Sequence, residues 1–326
     1  MDTQSLNELS VRRRESGAQF YRGMRARGEL SQLTNERLVI LIHGLDVSAA
    51  KATSTYQSFI DEVTKTDALL AAKSFCAYWG FHWPSDHSGP YGVSAAVAKS
   101  LYPTRVETAG RAGRQLADLL SRLGSHQEVY FVAHSLGCRV VMETLFEISK
   151  CHGPWPGASV KGAFLMAAAV PWLFCTEDPP GGDPADIPHF FKKRPSEPVE
   201  WVFYSDNDSA LNKPFKLGEW LHGEGGGEAV GRLGFPLGRW RYRVETRLDH
   251  SDYWPNKEII LQVPEMLGLQ TEYGPTDRAL GNKQPAIRSL PRISFPQRSL
   301  GDAVDDWKVL IPEDGGTGTL QQWLLR

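Results

Sequence analysis

Cysteine is scarce. The 326 residues hold four (Cys76, Cys138, Cys151 and Cys175), and no two stand in CxxC spacing. A disulfide frame or a cysteine-rich zinc site is therefore not expected, and reduced thiols in a cytoplasmic protein are. Charge of one sign is also lacking: 36 Lys and Arg against 38 Asp and Glu leave a net −2. This balance gives no bulk attraction to nucleic acid or anionic membrane. No apolar run approaches the roughly 18 residues of a membrane span. The start, MDTQSLNELSVRRRESG, has no apolar segment of the secretory type. Internal repeats are absent from the sequence.

What is present is a large apolar fraction, 41%, in a chain long enough for a sizeable core. Short β-branched runs occur at 37–42 (RLVILI), 75–79, 128–133, 160–167, 200–204 and 241–246. Between the first four lie helical patterns at 55–72, 111–124 and 138–149. Strands alternating with helices predict an α/β fold: a doubly wound, mostly parallel sheet flanked by helices. The expected division is an N-terminal helical arm at 1–36, one domain at 37–269, and an extension at 270–326 of unassigned structure. The Arg12-Arg13-Arg14 run is expected on the exposed face of that arm. Two Gly/Pro-rich stretches, 176–198 and 221–238, are expected as loops.

One stretch, VYFVAHSLGCRVV at 129–141, carries chemistry. A buried strand ends at Ala133 and a helix begins near Gly137, so His134-Ser135-Leu136 occupies the turn. Gly-x-Ser-x-Gly at such a turn is the nucleophile elbow, and here Ala133 replaces the first glycine. Small residues two positions either side of the serine let strand and helix approach closely. The alternative for Ser135 is a helix N-cap. A nucleophilic serine needs donors for the developing oxyanion. Leu136 N–H follows the serine directly. Leu45 N–H follows His43-Gly44 at the end of the 37–42 strand, with Gly44 expected to let the chain turn. An acid and a base should come next in chain order. Asp208 and Asp206 both lie past the 200–204 strand; Asp208 is favoured because it reaches further over the sheet edge. His250 follows the last strand. Asp249 and Asp252 are its sequence neighbours and poor candidates for the acid.

With these residues in order, the chain resembles the α/β-hydrolase superfamily over roughly 37–267, and within it a bacterial branch of poorly characterised serine hydrolases. The resemblance rests on His43-Gly44, Trp83-Pro84-Ser85, His134-Ser135-Leu136-Gly137, Asp208-Ser209-Ala210-Leu211 and His250-Ser251-Asp252-Tyr253.

The expected function is hydrolysis of a carboxylic ester or thioester through an acyl-enzyme, with Ser135, Asp208 and His250 as triad and Leu45 and Leu136 as the oxyanion hole. The substrate class is a small-molecule or lipid-like acyl compound. No metal or organic cofactor, nucleic acid or integral membrane segment is expected, and protein partners stay unassigned. Trp83 is expected to bind substrate, with 83–104 as a lid over the pocket. His82, Asp86 and His87 fit no metal-ligand spacing. The glycines after His222 suit a flexible loop. A silent hydrolase fold used for binding is the rival reading; a lipase or peptidase is the rival among enzymes.

Overall fold

The computed structural model describes residues 6–13, 20–65, 76–86, 102–151, 153–175, 199–212, 215–216, 227–235, 241–267 and 308–311. Its strands are β1 (Asn7–Arg12), β2 (Phe20–Arg27), β3 (Arg37–Ile42), β4 (Cys76–His82), β5 (Glu128–His134), β6 (Ser159–Met166), β7 (Val199–Tyr204), β8 (Arg241–Glu245) and β9 (Lys308–Ile311). They form one sheet in the order β8-β7-β6-β5-β3-β4-β1-β2-β9. From β8 to β1 every pairing is parallel. Strands β2 and β9 add an antiparallel edge. This is the doubly wound α/β arrangement, extended on one side.

The central strands are buried on both faces, which explains their near-continuous apolar sequence. In β3, residues Leu38 to Ile42 are at most 1% exposed. Register aligns the strand ends: Ile42 pairs with Ala133 on β5, His134 with Met166 on β6, and Met166 with Phe203 on β7. The loops that leave these carboxyl ends therefore converge at one edge, where open α/β sheets bind ligands.

Helix α1 (Ala49–Val63) starts at Ser48, whose side chain accepts from Lys51 N–H. It buries Ala52, Tyr56, Phe59 and Val63, a helical spacing facing the sheet. Helix α2 (Tyr102–Arg122) packs on α3 (Gly137–Ser149). Three single-turn helices follow: α4 (Val230–Leu233), α5 (Lys257–Ile260) and α6 (Val263–Met266). No helix among the described residues is long and apolar enough to cross a membrane.

The N-terminal segment departs from expectation. Instead of a helical arm, 7–12 and 20–27 are strands β1 and β2. Arg12 is not on an exposed face: it is 1% exposed and ion-paired with Asp86. Strand β1 lies between β4 and β2, so both its edges are paired, and all six of its residues are buried. Leu9 and Val11 fill one face, and Glu8, Ser10 and Arg12 are buried on the other. The charges are tolerated because each is paired. Glu8 meets His82, Thr53 and Arg27. Burial opposes its ionisation, but these contacts, His82 foremost, hold its carboxyl down at about 2.

Candidate active site

The elbow is built from β5 and α3. Ser135 has φ +54, a left-handed conformation that non-glycine residues seldom adopt. Its surroundings hold it there. Ser135 N–H donates to Met166 O at 2.9 Å, and Ser135 O accepts from Cys138 N–H at 3.0 Å and Ala169 N–H at 3.1 Å. The small residues around it answer to space. A Cβ on Gly137 would lie 2.4 Å from His43 O and 2.7 Å from Ile42 O, so α3 starts almost on the backbone of the β3 exit. Ala133 is fully buried in β5, between Ile42 and Leu165.

Gly44 plays a different part from the expected one. It is not the residue with positive φ in its loop; that is Asp46, at +56. Gly44 is needed for closeness, since a Cβ there would sit 2.8 Å from Ser135 Cβ. The loop of 43–48 thus lies directly against the serine. Leu45 follows this contact on one side, and Leu136 begins the helix on the other.

Three residues from three strand ends meet beside it. His250 Nε2 is 2.8 Å from Ser135 Oγ, and His250 Nδ1 is 2.8 Å from Asp208 Oδ2. Asp208 is fully buried, and its Oδ1 accepts from Leu211 N–H at 2.9 Å. That second bond fixes the carboxylate plane. Asp206 is exposed on the same turn and makes no part of this line. With Nδ1–H donated to Asp208, Nε2 is free to accept from the serine.

Further residues hold these three, and the sequence did not single them out. His134 Nε2 lies 2.7 Å from His250 O. A carbonyl only accepts, so Nε2 carries the proton. Burial, then the nearby His250, pulls the His134 pKa down from 6.5 to about 3, so the ring is neutral. Asp249 Oδ1 accepts from Ser209 N–H at 3.2 Å and Ser209 Oγ at 3.0 Å, latching the loop of His250 to the loop of Asp208. The signal for both was adjacency to a proposed triad member.

The 43–48 loop is held from below. His43 is buried, and burial pushes its pKa well below 6.5. Its Nδ1 is 3.0 Å from Gly44 O, and its backbone N–H donates to Tyr56 Oη at 2.7 Å. Asp46 N–H donates to Ser85 O at 3.1 Å, and Val47 N–H to Ser85 Oγ at 3.3 Å. Arg12 Nη1 donates to Val47 O at 3.2 Å while its other arm takes Asp86.

The expectation that Trp83 lines the substrate pocket meets a different placement. Trp83 is fully buried, its Nε1–H donates to His43 O at 2.8 Å, and its ring lies parallel to that of His43, centroids 5.7 Å apart. It is a buttress under the loop. Of the lid expected at 83–104, residues 87–101 lie outside the described residues, and Tyr102 already belongs to α2. The loop expected at 176–198 also lies outside them, as do 221–226 and 236–238 of the loop expected at 221–238, whose described part carries α4. Among the described residues no group of three or more His, Cys, Asp or Glu could hold a metal.

A family model described as alpha/beta hydrolase of unknown function (DUF900) matches residues 24–214. No curated protein matches the sequence significantly. Among solved structures, the chain is similar to a putative hydrolase from Agrobacterium vitis S4 at 13% identity and TM-score 0.40, over 76% of this chain and 92% of that one. It is similar to TT1662 from Thermus thermophilus at 12% identity and TM-score 0.38, over 75% and 91%. It is similar to the carboxylesterase CesB from Bacillus subtilis at 11% identity and TM-score 0.36, over 75% and 88%.

Proposed function

The chain belongs to the family of alpha/beta hydrolases of unknown function (DUF900), and from that premise we propose that it is a serine hydrolase acting on a carboxylic ester or thioester. The observation that carries this reading is the hydrogen-bonded line from Ser135 Oγ through His250 to Asp208, 2.8 Å at each step, ending on a serine held at φ +54.

In the proposed mechanism, His250 Nε2 takes the proton as Ser135 Oγ attacks the carbonyl carbon. Asp208 keeps the Nδ1 proton in place and stabilises the imidazolium. The oxyanion is bound by Leu45 N–H and Leu136 N–H, a pairing supported by the contact of Gly44 with Ser135. The leaving alcohol or thiol departs with the proton from His250. Water, deprotonated by His250, then hydrolyses the acyl-enzyme and restores Ser135. These residues supply the whole reaction, so it calls for no cofactor. Trp83 acts on Ser135 through the 43–48 loop that it buttresses.

A fluorophosphonate probe tests this directly. It should form one adduct, mapped by peptide mass spectrometry to Ser135. Turnover of short p-nitrophenyl esters should fall by about 10⁶ in Ser135→Ala, the loss seen when a triad serine is removed. Labelling at another residue, or undiminished turnover in the variant, would overturn the reading.

A further inference from the structure

Helix α2 begins at Tyr102 and places Arg105 in its first turn, where there is no acidic residue. The N-terminal end of a 21-residue helix is its positive end, so a cation there stands against the field. Arg105 is also only 4% exposed. A buried guanidinium ordinarily has a carboxylate partner. Two other deeply buried arginines do: Arg12 is paired with Asp86, and Arg139 Nε is 2.9 Å from Glu143. Among the described residues Arg105 has no such pair. Its one hydrogen bond among the described residues runs from Nη1 to Pro84 O at 3.4 Å, and its Nε is buried with no hydrogen-bond partner. Burial lowers its pKa, with Asp46 favouring the charge from a distance. A group with five N–H donors is thus held almost unused beside a second source of positive potential.

Its position ties it to the serine. Pro84 precedes Ser85, whose carbonyl accepts from Asp46 N–H. Asp46 is two residues from Gly44, the residue packed on Ser135. The guanidinium is therefore bonded to the segment that, through Ser85 and Asp46, adjoins the loop carrying Leu45.

We propose that Arg105, with the first turn of α2, is an anion subsite, and that the ester or thioester cleaved at Ser135 carries a carboxylate or phosphate group which this subsite binds. The specificity claim rests on the serine hydrolase reading. The anionic group takes no part in bond cleavage; it orients the substrate, as a planar fork of N–H donors does well for carboxylate and phosphate alike.

Binding to Ser135→Ala protein tests the subsite without turnover. Three probes, titrated by calorimetry, are monomethyl succinate, 2-acetoxyethyl phosphate and neutral dimethyl succinate. At least one anionic probe should bind about 10- to 100-fold tighter than the neutral one, the worth of a hydrogen bond to a charged group. Which anion gains more identifies the group. Adding Arg105→Gln should remove the preference, and Arg105→Lys should keep part of it. Equal binding of all three probes while Arg105 is intact overturns the proposal, even if the variants fail to fold. A preference that survives Arg105→Gln overturns it too. Anion preference in a protein that fluorophosphonate does not label would keep the subsite and remove the hydrolase reading.

Discussion

His134 Nε2 donates to the backbone carbonyl of His250 at 2.7 Å, so the residue before the proposed nucleophile holds the main chain of the proposed base. The bond itself favours the protonated ring, but burial, with His250 nearby, outweighs it and pulls the His134 pKa down to about 3. The unfolded chain, with histidine near 6.5, binds the proton earlier. Between pH 6.5 and 3 the unfolded state therefore holds more protons at this site, and stability falls as pH drops through that window.

The first prediction follows from that difference. His134→Gln keeps a donor for His250 O but cannot titrate. The variant should be less stable than the wild type at pH 7.5, and the gap in Tm should narrow by pH 5. Thermal melts of both proteins at the two pH values check this. A gap that stays constant would mean that His134 does not titrate between the folded and unfolded states in that range.

Asp208 and Asp206 offer a second comparison on one turn. Asp208 is fully buried and bonded to His250 Nδ1, whereas Asp206 is exposed. Asp208→Asn should lower kcat by about 10⁴ for short esters, since losing a triad acid costs less than losing the serine. Asp206→Asn should stay within about threefold, as exposed substitutions cost little. Steady-state assays of both variants decide; a crippled Asp206→Asn would place the acid elsewhere on the turn.

Much of this site was legible because elbow chemistry is local. A strand that runs into Ala133-His134-Ser135-Leu136-Gly137 constrains the serine by short-range sterics, and the strand order then limits where acid and base can stand. The central strands were readable for a similar reason: β3 and β5 are buried on both faces and therefore apolar at Leu38 to Ile42 and Val129 to Ala133. Strand β1 was not, because its buried face holds Glu8, Ser10 and Arg12. Charged residues read as exposed unless their partners are known. Those partners, His82, Arg27 and Asp86, are distant in sequence or on a neighbouring strand. Trp83 failed in the opposite sense. A tryptophan after a strand end suggests a pocket wall, but its indole N–H finds His43 O beneath the loop.

Glycines 44 and 137 should respond differently to alanine. A Cβ at Gly137 meets two backbone carbonyls, at 2.4 and 2.7 Å, which cannot yield without moving β3 or α3. Gly137→Ala should destabilise the fold by about 1–3 kcal/mol, the usual cost of overpacking. At Gly44 the nearest atom is Ser135 Cβ, at 2.8 Å. Gly44→Ala should displace the nucleophile and slow fluorophosphonate labelling at least about tenfold, a misplacement effect, with a smaller change in Tm. If Gly44→Ala labels at the wild-type rate, the loop and the serine are not in the contact described.

Arg12 joins the added strands to the proposed centre, and the join can be separated into stability and positioning. It pairs with Asp86 and donates to Val47 O at 3.2 Å, both within a buried environment. Arg12→Met would leave Asp86 without this guanidinium, and breaking a buried ion pair costs about 3–5 kcal/mol. Replacing both partners, Arg12→Met with Asp86→Leu, removes the buried carboxylate as well and should recover most of that loss. The two changes should therefore be far from additive in urea denaturation. Labelling of Ser135 should not recover in step, because the double variant still lacks the Arg12 Nη1 donor that, beside Ser85 Oγ, holds Val47 O and the loop carrying Leu45. Wild-type labelling in a double variant of wild-type stability would show that the ion pair serves the fold alone and that Arg12 has no hold on the oxyanion loop.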